Sequence, residues 1–156
     1  EHPAGAGVRQ VHLLSAQPNG RLHSQLDFGL HSRRSKHKDR EVVRLSAADA
    51  KPRGIVSGDI VRIFNERGSC LAAAKVSNDV RAGVLHLPTG AWYDPVNAQD
   101  EQPMCAHGNP NVLTRDAGTS RLAQGCAGQL CCVEIEKFTG VPPSMRAHDP
   151  PKRTTG

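Results

Sequence analysis

The chain has 156 residues, 37% of them hydrophobic and only 3% aromatic, which suits one domain with a core drawn mainly from Val, Ile, Leu and Ala. Its net charge of +5 at pH 7 favours anionic partners: nucleic acid, an acidic membrane surface or a phosphorylated ligand. No apolar run approaches the roughly 20 residues that cross a bilayer as a helix, so no membrane partner is expected. The five cysteines, Cys70, Cys105, Cys126, Cys131 and Cys132, are odd in number and irregularly spaced. That argues against a secreted disulfide framework, and no Cys-x-x-Cys pair offers a structural zinc site. A reduced, cytoplasmic setting is the expectation, with the periplasm as the alternative for a parent enzyme. The chain opens on EHPAGAG, without methionine, and is expected to be a piece of something longer.

Residues 1–9 are rich in Gly and Ala and read as a flexible lead-in. QVHLLSAQ reads as the first strand, ended by a turn at Pro18 to Gly20. The densest positive charge, HSRRSKHKDR from His31 to Arg40, reads as a solvated, exposed loop. EVVRLS is a second short strand, and SAADAKPRG a short helix with Ser46 as N-cap and Gly54 as stop. In GDIVRIFNERGSCLAAAKVS the apolar residues Val61, Ile63, Leu71 and Ala73 alternate with polar or small neighbours around a hairpin turn at Asn65 to Gly68. GVLHLPT and LCCVEIEKF complete the strands, and adjacent Cys131 and Cys132 should face opposite sides of the last one. Residues 108–124 read as ordered loop, and the Pro-rich stretch 140–156 as a disordered tail. Short, closely spaced strands with one or two helical turns indicate a mainly β fold, a small barrel over residues 10–139.

The residues that could carry chemistry fall in two loop clusters. None of the eight histidines has HxxxH or HExxH spacing, and no GxSxG elbow, P-loop or GxGxxG is present, so neither metal ligands nor catalytic residues are assigned. The first cluster holds Ser15, Gln17, Arg21, His23, Ser24 and Gln25; the second holds Asn109, Asn111, Thr114, Thr119, Ser120 and Gln124, with Gln129 after it. Both are rich in amides and hydroxyls, poor in carboxylates and flanked by glycines. Such groups suit a heterocycle edge and a phosphate, with Arg21 as the expected anion clamp. They also suit ordinary turns.

The runs HLLSAQPNGRLHSQLD, ADAKPRGIVSGDIVRIFNERGSCLAAAKVS, LPTGAWYDP, HGNPNVLT and GTSRLAQG resemble the C-terminal domain of the dimethyl sulfoxide reductase family, in order, from about Val11 to Phe138. The branch most similar is that of the biotin sulfoxide, trimethylamine N-oxide and dimethyl sulfoxide reductases. The resemblance implies a double-psi β-barrel that binds molybdopterin guanine dinucleotide, two copies of which hold one molybdenum in the complete enzyme. That metal takes an oxygen atom from an S-oxide or N-oxide. It implies cofactor contacts at His23 and Asn111, a weaker one at Gln17 where relatives carry histidine, and one glutamine contact for which Gln124 and Gln129 are both candidates. Asp39 stands where relatives carry a turn glycine, and REVVRLSAADA lacks their prolines. The family's metal-ligating residue belongs to other domains, so the partners implied are the cofactor and the remaining domains of a parent reductase. A free-standing barrel that no longer holds cofactor is the alternative. Nucleic acid is not expected, because the basic residues lack interleaved aromatics.

Overall fold

The computed structural model describes residues 10–122, 124, 125, 131–151 and 153. The lead-in 1–9, Cys126 and Gln129 lie outside the described residues. Alternation in the sequence becomes alternation in burial. In β1 (Val11–Leu14), Val11 and Leu13 are buried while His12 and Leu14 are exposed; in β2 (Val42–Leu45), Val43 and Leu45 are buried. β3 (Ile60–Asn65) and β4 (Gly68–Val76) form the expected hairpin around Asn65 to Gly68, followed by β5 (Val84–His86) and β6 (Cys131–Lys137). Cys131 is buried and Cys132 exposed, on opposite faces as a strand requires.

The six strands close into a barrel in the order β1-β5-β2-β4-β3-β6. β1 runs parallel to β5 and β2 to β4, and every other pairing is antiparallel. Advancing each strand number by three reproduces the same set of neighbours, so β1–β3 and β4–β6 are related halves with two crossing parallel connections. This is the double-psi barrel. Closure leaves no free sheet edge. Register is set by apolar partners: Leu13 and Leu45 both lie opposite Leu85, Val11 opposite Val133, and Ile63 between Cys70 and Ile135. A slip of one residue would turn these side chains to solvent.

β4 is buried on both faces, which the alternation of its sequence does not reveal. Cys70, Ala72 and Ala74 point into the barrel, whereas Leu71 and Ala73 join Ile60, Met104 and Phe138 in a second cluster outside it. The covering layer is the chain around Cys105, whose N–H donates to Ser69 O (3.0 Å) and whose carbonyl accepts from Leu71 N (2.8 Å).

The short helix α1 (Leu30–Arg34) lies inside the basic segment, and α2 (Ala47–Ala50) continues as a 3-10 turn over Lys51–Arg53. Ser46 caps α2, its Oγ accepting from Asp49 N (3.1 Å), and Gly54 ends the turn at φ +62°. The reading of His31 to Arg40 as a solvated, exposed loop is corrected in part: most of the run is exposed, but three of its side chains are not. Ser32 and Arg40 are buried, and the Lys36 side chain is 2% exposed. The reason is that carboxylates at Asp27 and Glu41 lie within reach of the buried lysine. Lys38 and Asp39 both have positive φ and are closed by reciprocal His37–Arg40 backbone bonds, a tight reversal that aspartate tolerates in place of glycine.

Beyond β6 the described residues contain no helix or strand, in keeping with their prolines. Several are nevertheless held against the barrel. Arg40 donates to Pro143 O, and Asp94 accepts the backbone N–H groups of Arg146 and Ala147. Leu13, fully buried at the centre of β1, tests the core: Leu13→Ala is expected to lower unfolding stability by about 2–5 kcal/mol in urea denaturation. A loss well under that range would contradict the packing described.

Candidate functional site

Arg21 follows the turn that ends β1, and its guanidinium is turned inward with 1% of the side chain exposed. One nitrogen donates to Glu41 Oε2 (2.8 Å) and Thr89 O (2.9 Å), another to Ser32 Oγ (3.2 Å), and Nε donates to His23 O (3.1 Å). Asp27 Oδ1 lies 3.3 Å from Nε. Lys36 completes the group, with Nζ 2.9 Å from Asp27 and 3.1 Å from Glu41. Two buried cations therefore face two buried anions. The guanidinium expected to clamp a ligand is instead a strut joining the His23 turn to the Thr89 segment.

Asp27 ties in the other walls. Its Oδ2 accepts from Trp92 N (3.2 Å) and from His148 Nε2 (3.0 Å), and His107 Nδ1 lies 3.7 Å away while donating to Trp92 O (2.9 Å). Burial acts to raise the Asp27 carboxyl. Hydrogen bonds from Lys36 and His148, the Lys36 charge and the Trp92 N–H outweigh it and hold the group well below the usual carboxylate range. His107 shows the opposite balance. Burial first, and then the Lys36 charge, push its imidazole down to about 4 against the pull of Trp92 O and Asp27.

Above this network lies an open hollow of about 430 Å³, lined by His23, Ser24, Thr89, Gly90, Ala91, Trp92, Tyr93, Asn109 and Asn111. Among the described residues, no carboxylate lines it. Asp27 and Glu41, in the adjoining network, are already paired with Arg21 and Lys36. At Gly90, with φ +90°, a Cβ would stand 1.9 Å from His23 O, so the two walls meet backbone to backbone and only glycine fits. Trp92 Nε1 donates to Ser24 O (2.7 Å), and its ring lies 5.5 Å from that of Phe28. Asn109, also in the lining, caps a 3-10 turn (Pro110–Leu113), its Oδ1 accepting from Asn111 N (2.9 Å), and Asn111 is exposed.

The hollow thus brings together His23, Ser24, Asn109 and Asn111, from two clusters far apart in the chain. Gln17 stands beside it, Nε2 donating to His23 Nδ1 (3.0 Å). His23 has φ +51°, a left-handed conformation that costs a non-glycine residue on the order of 1–3 kcal/mol unless its surroundings hold it. Ser15 is buried with no partner for its Oγ, and neither it nor Arg21 lines the hollow. Gln124 is exposed and stands outside the lining, while Gln129 lies outside the described residues. Residue types alone did not single out Asp27, Lys36, Glu41, Thr89, Gly90 and Trp92. The available signal was LPTGAWYDP, where a glycine between a hydroxyl and two aromatics marks a wall that backbone can approach closely.

Two measurements check the network. Lys36→Met leaves two buried carboxylates short of a partner and is expected to cost about 3–5 kcal/mol, read as a fall in urea midpoint. An effect below 1 kcal/mol, on the scale of an exposed pair, would contradict it. His107 binds its proton less readily folded than unfolded, so its contribution is complete above about pH 6.5 and lost as pH falls toward about 4. Stability should decline through that window by up to about 3 kcal/mol, and His107→Gln should flatten that part of the pH profile.

A family described as "Molydopterin dinucleotide binding domain" matches residues 11–132. The chain is 48% identical over 135 residues to biotin sulfoxide reductase of Cereibacter sphaeroides, covering 86% of this chain and 18% of that protein. It is 46% identical over 142 residues to trimethylamine-N-oxide reductase of Haemophilus influenzae, covering 90% and 17%. With dimethyl sulfoxide/trimethylamine N-oxide reductase of Cereibacter sphaeroides it shares 39% over 153 residues, covering 97% and 19%. The chain therefore spans less than a fifth of the length of these relatives. Among solved structures, acetylene hydratase from Pelobacter acetylenicus shares the fold, with TM-score 0.63 and 14% identity over 82% of this chain and 18% of that one. Matched over most of its barrel, the chain belongs to the molydopterin dinucleotide binding domain family.

Proposed function

We infer that this chain is the part of a molybdenum-dependent S-oxide or N-oxide reductase that holds molybdopterin guanine dinucleotide, acting with the remaining domains of a longer polypeptide. One observation carries the reading: His23 and Asn111, from separate clusters, share one hollow whose lining, among the described residues, has no carboxylate. The hollow suits an anionic heterocyclic nucleotide. Its walls offer the imidazole of His23, the hydroxyl of Ser24 and the amides of Asn109 and Asn111, and Gly90 lets the His23 backbone close against the Thr89 segment. Trp92 and Tyr93 supply aromatic surface for a ring.

When bound, the group supplies the two-electron redox chemistry that removes oxygen from the substrate. The chain's own residues bind and orient. His23 and Asn111 hold the ligand from opposite walls, and Gln17 fixes the His23 ring by donating to Nδ1. Arg21 and Lys36 cancel the charges of Asp27 and Glu41 beneath the hollow, so an incoming diphosphate meets no net repulsion from below. Ser15 and Gln124 stay in the proposal as cofactor contacts, although neither lines the hollow. A cytoplasmic setting accompanies this reading, and the free thiols of Cys70, Cys105, Cys131 and Cys132 favour it.

In the complete polypeptide, His23→Ala and Asn111→Ala are each expected to weaken cofactor retention by about 10- to 100-fold, the loss of a hydrogen bond to a charged group. Molybdenum per polypeptide, measured by elemental mass spectrometry, reads this, and wild-type content in both variants would contradict the assignment. The complete polypeptide should reduce an S-oxide or N-oxide with a reduced viologen as donor. The same activity from the 156-residue chain alone would overturn the division of labour.

A further inference from the structure

The chain after β6 carries Pro142, Pro143, Pro150 and Pro151 and forms no helix or strand among its described residues, yet residues 143–148 are tied to the segment that holds Trp92. Asp94 is the anchor. Its residue is 4% exposed, and its Oδ2 accepts from Arg146 N (2.5 Å) and Ala147 N (3.2 Å). Among the described residues both of these donors belong to the strap, so without it the domain would hold a buried carboxylate short of partners. Arg146 also donates to Pro95 O (2.6 Å), and Arg40 donates to Pro143 O. Prolines hold φ near one value, which lowers the entropy lost when the strap is laid down.

The strap closes in a turn, Asp149 N donating to Arg146 O (2.9 Å), and that turn puts His148 inside the protein with 7% of its side chain exposed. His148 Nε2 donates to Asp27 Oδ2 (3.0 Å), the same oxygen that accepts from Trp92 N. Its ring meets Trp92 edge-on with centroids 5.6 Å apart, and it meets His107 at 4.8 Å. Nδ1 of His148 is buried with no partner among the described residues, a cost that an apolar ring in the same place would not carry. Packing alone therefore does not account for a histidine here. The residue joins a ring contact on Trp92 to a bond on the carboxylate that holds Trp92 N. The indole is thus held by Ser24 O and Phe28 from the turns after β1, and by His148 from the opposite end of the chain.

We propose that residues 143–148 are a strap that sets the Trp92 wall of the hollow, and that His148 is a positioning residue for retention of the cofactor's ring system. The strap lies beyond residues 11–132, the stretch that matches the family. His148 is not in the lining of the hollow and acts on the ligand through Trp92, which is. The inference rests on the reading of the hollow as the cofactor site.

The test uses the full-length polypeptide as wild type, His148→Ala and His148→Phe, the last of which keeps a ring against Trp92 and gives up the bond to Asp27. Pterin release from loaded protein is followed as its fluorescent oxidation product after gel filtration. Hydroxyl-radical oxidation of Trp92 is read peptide by peptide in protein from a host unable to make the cofactor. His148→Ala is expected to speed release by about tenfold, the scale of one hydrogen bond and one aromatic contact. It should also raise oxidation at Trp92 while peptides from β1 to β6 stay at the wild-type level. His148→Phe should bring both readings back to within about threefold of wild type. Wild-type release from His148→Ala would overturn the proposal, and so would faster release with Trp92 oxidation unchanged or a Phe variant no better than Ala. Oxidation spread over the strands would overturn it too, because the residue would then only stabilise the fold. A wild-type protein that never holds pterin sinks the cofactor reading and this proposal with it, whereas loaded protein whose release ignores His148→Ala sinks the proposal alone.

Discussion

The structure depends on a balanced set of four buried charges. Arg21 and Lys36 lie against Asp27 and Glu41, with every one of these side chains nearly excluded from solvent. Taking such charges out of water is expensive, and replacing all of them by apolar groups is often no less stable. Stability alone therefore does not account for them. What they provide is position. A guanidinium has donors pointing in several fixed directions, and Arg21 uses them to reach His23 O, Thr89 O, Ser32 Oγ and Glu41 together. No apolar side chain links two backbone carbonyls and a carboxylate across three segments.

From that fixed base the hollow follows. The barrel puts the end of β1 beside the end of β5 because those strands run parallel, and the loops leaving them, around His23 and Gly90, are brought face to face. Contact between them is main chain against main chain, which excludes any side chain at Gly90. Asp27 then secures Trp92 N–H, and Trp92 in turn binds Ser24 O, so each wall is held by the other. A cavity built this way keeps its donors exposed and its formal negative charges underneath and compensated. That combination favours an anionic nucleotide over a cation, and it agrees with the family to which the chain belongs.

Much of this was legible before any coordinates. The strands announce themselves through period-two burial, as in Val11 and Leu13 or Val43 and Leu45, and the Ser46 cap and the Asn65–Gly68 hairpin depend only on neighbours in the chain. His23 and Asn111 were legible as members of polar, glycine-flanked clusters. The burial of Lys36 and Arg40 was not. A run of ten residues with mostly basic side chains looks solvated unless its counter-charges are known, and Asp27 and Glu41 sit just outside that run. Arg21 was misleading for a related reason: its type fits an anion clamp or a strut equally well, and only the position of Glu41 decides. Parallel closure of β1 on β5, and the contact of His148 with Asp27 across 121 positions, are non-local and leave no periodic trace.

The account stands most directly on where a ligand sits relative to Arg21. A crystal structure of the full-length polypeptide with molybdopterin guanine dinucleotide bound is the decisive measurement. The expected density places the ligand between His23 and Asn111 while Arg21 keeps its bonds to Glu41 and Asp27. A ligand seated elsewhere on the barrel, or Arg21 swung outward onto a phosphate, would contradict it.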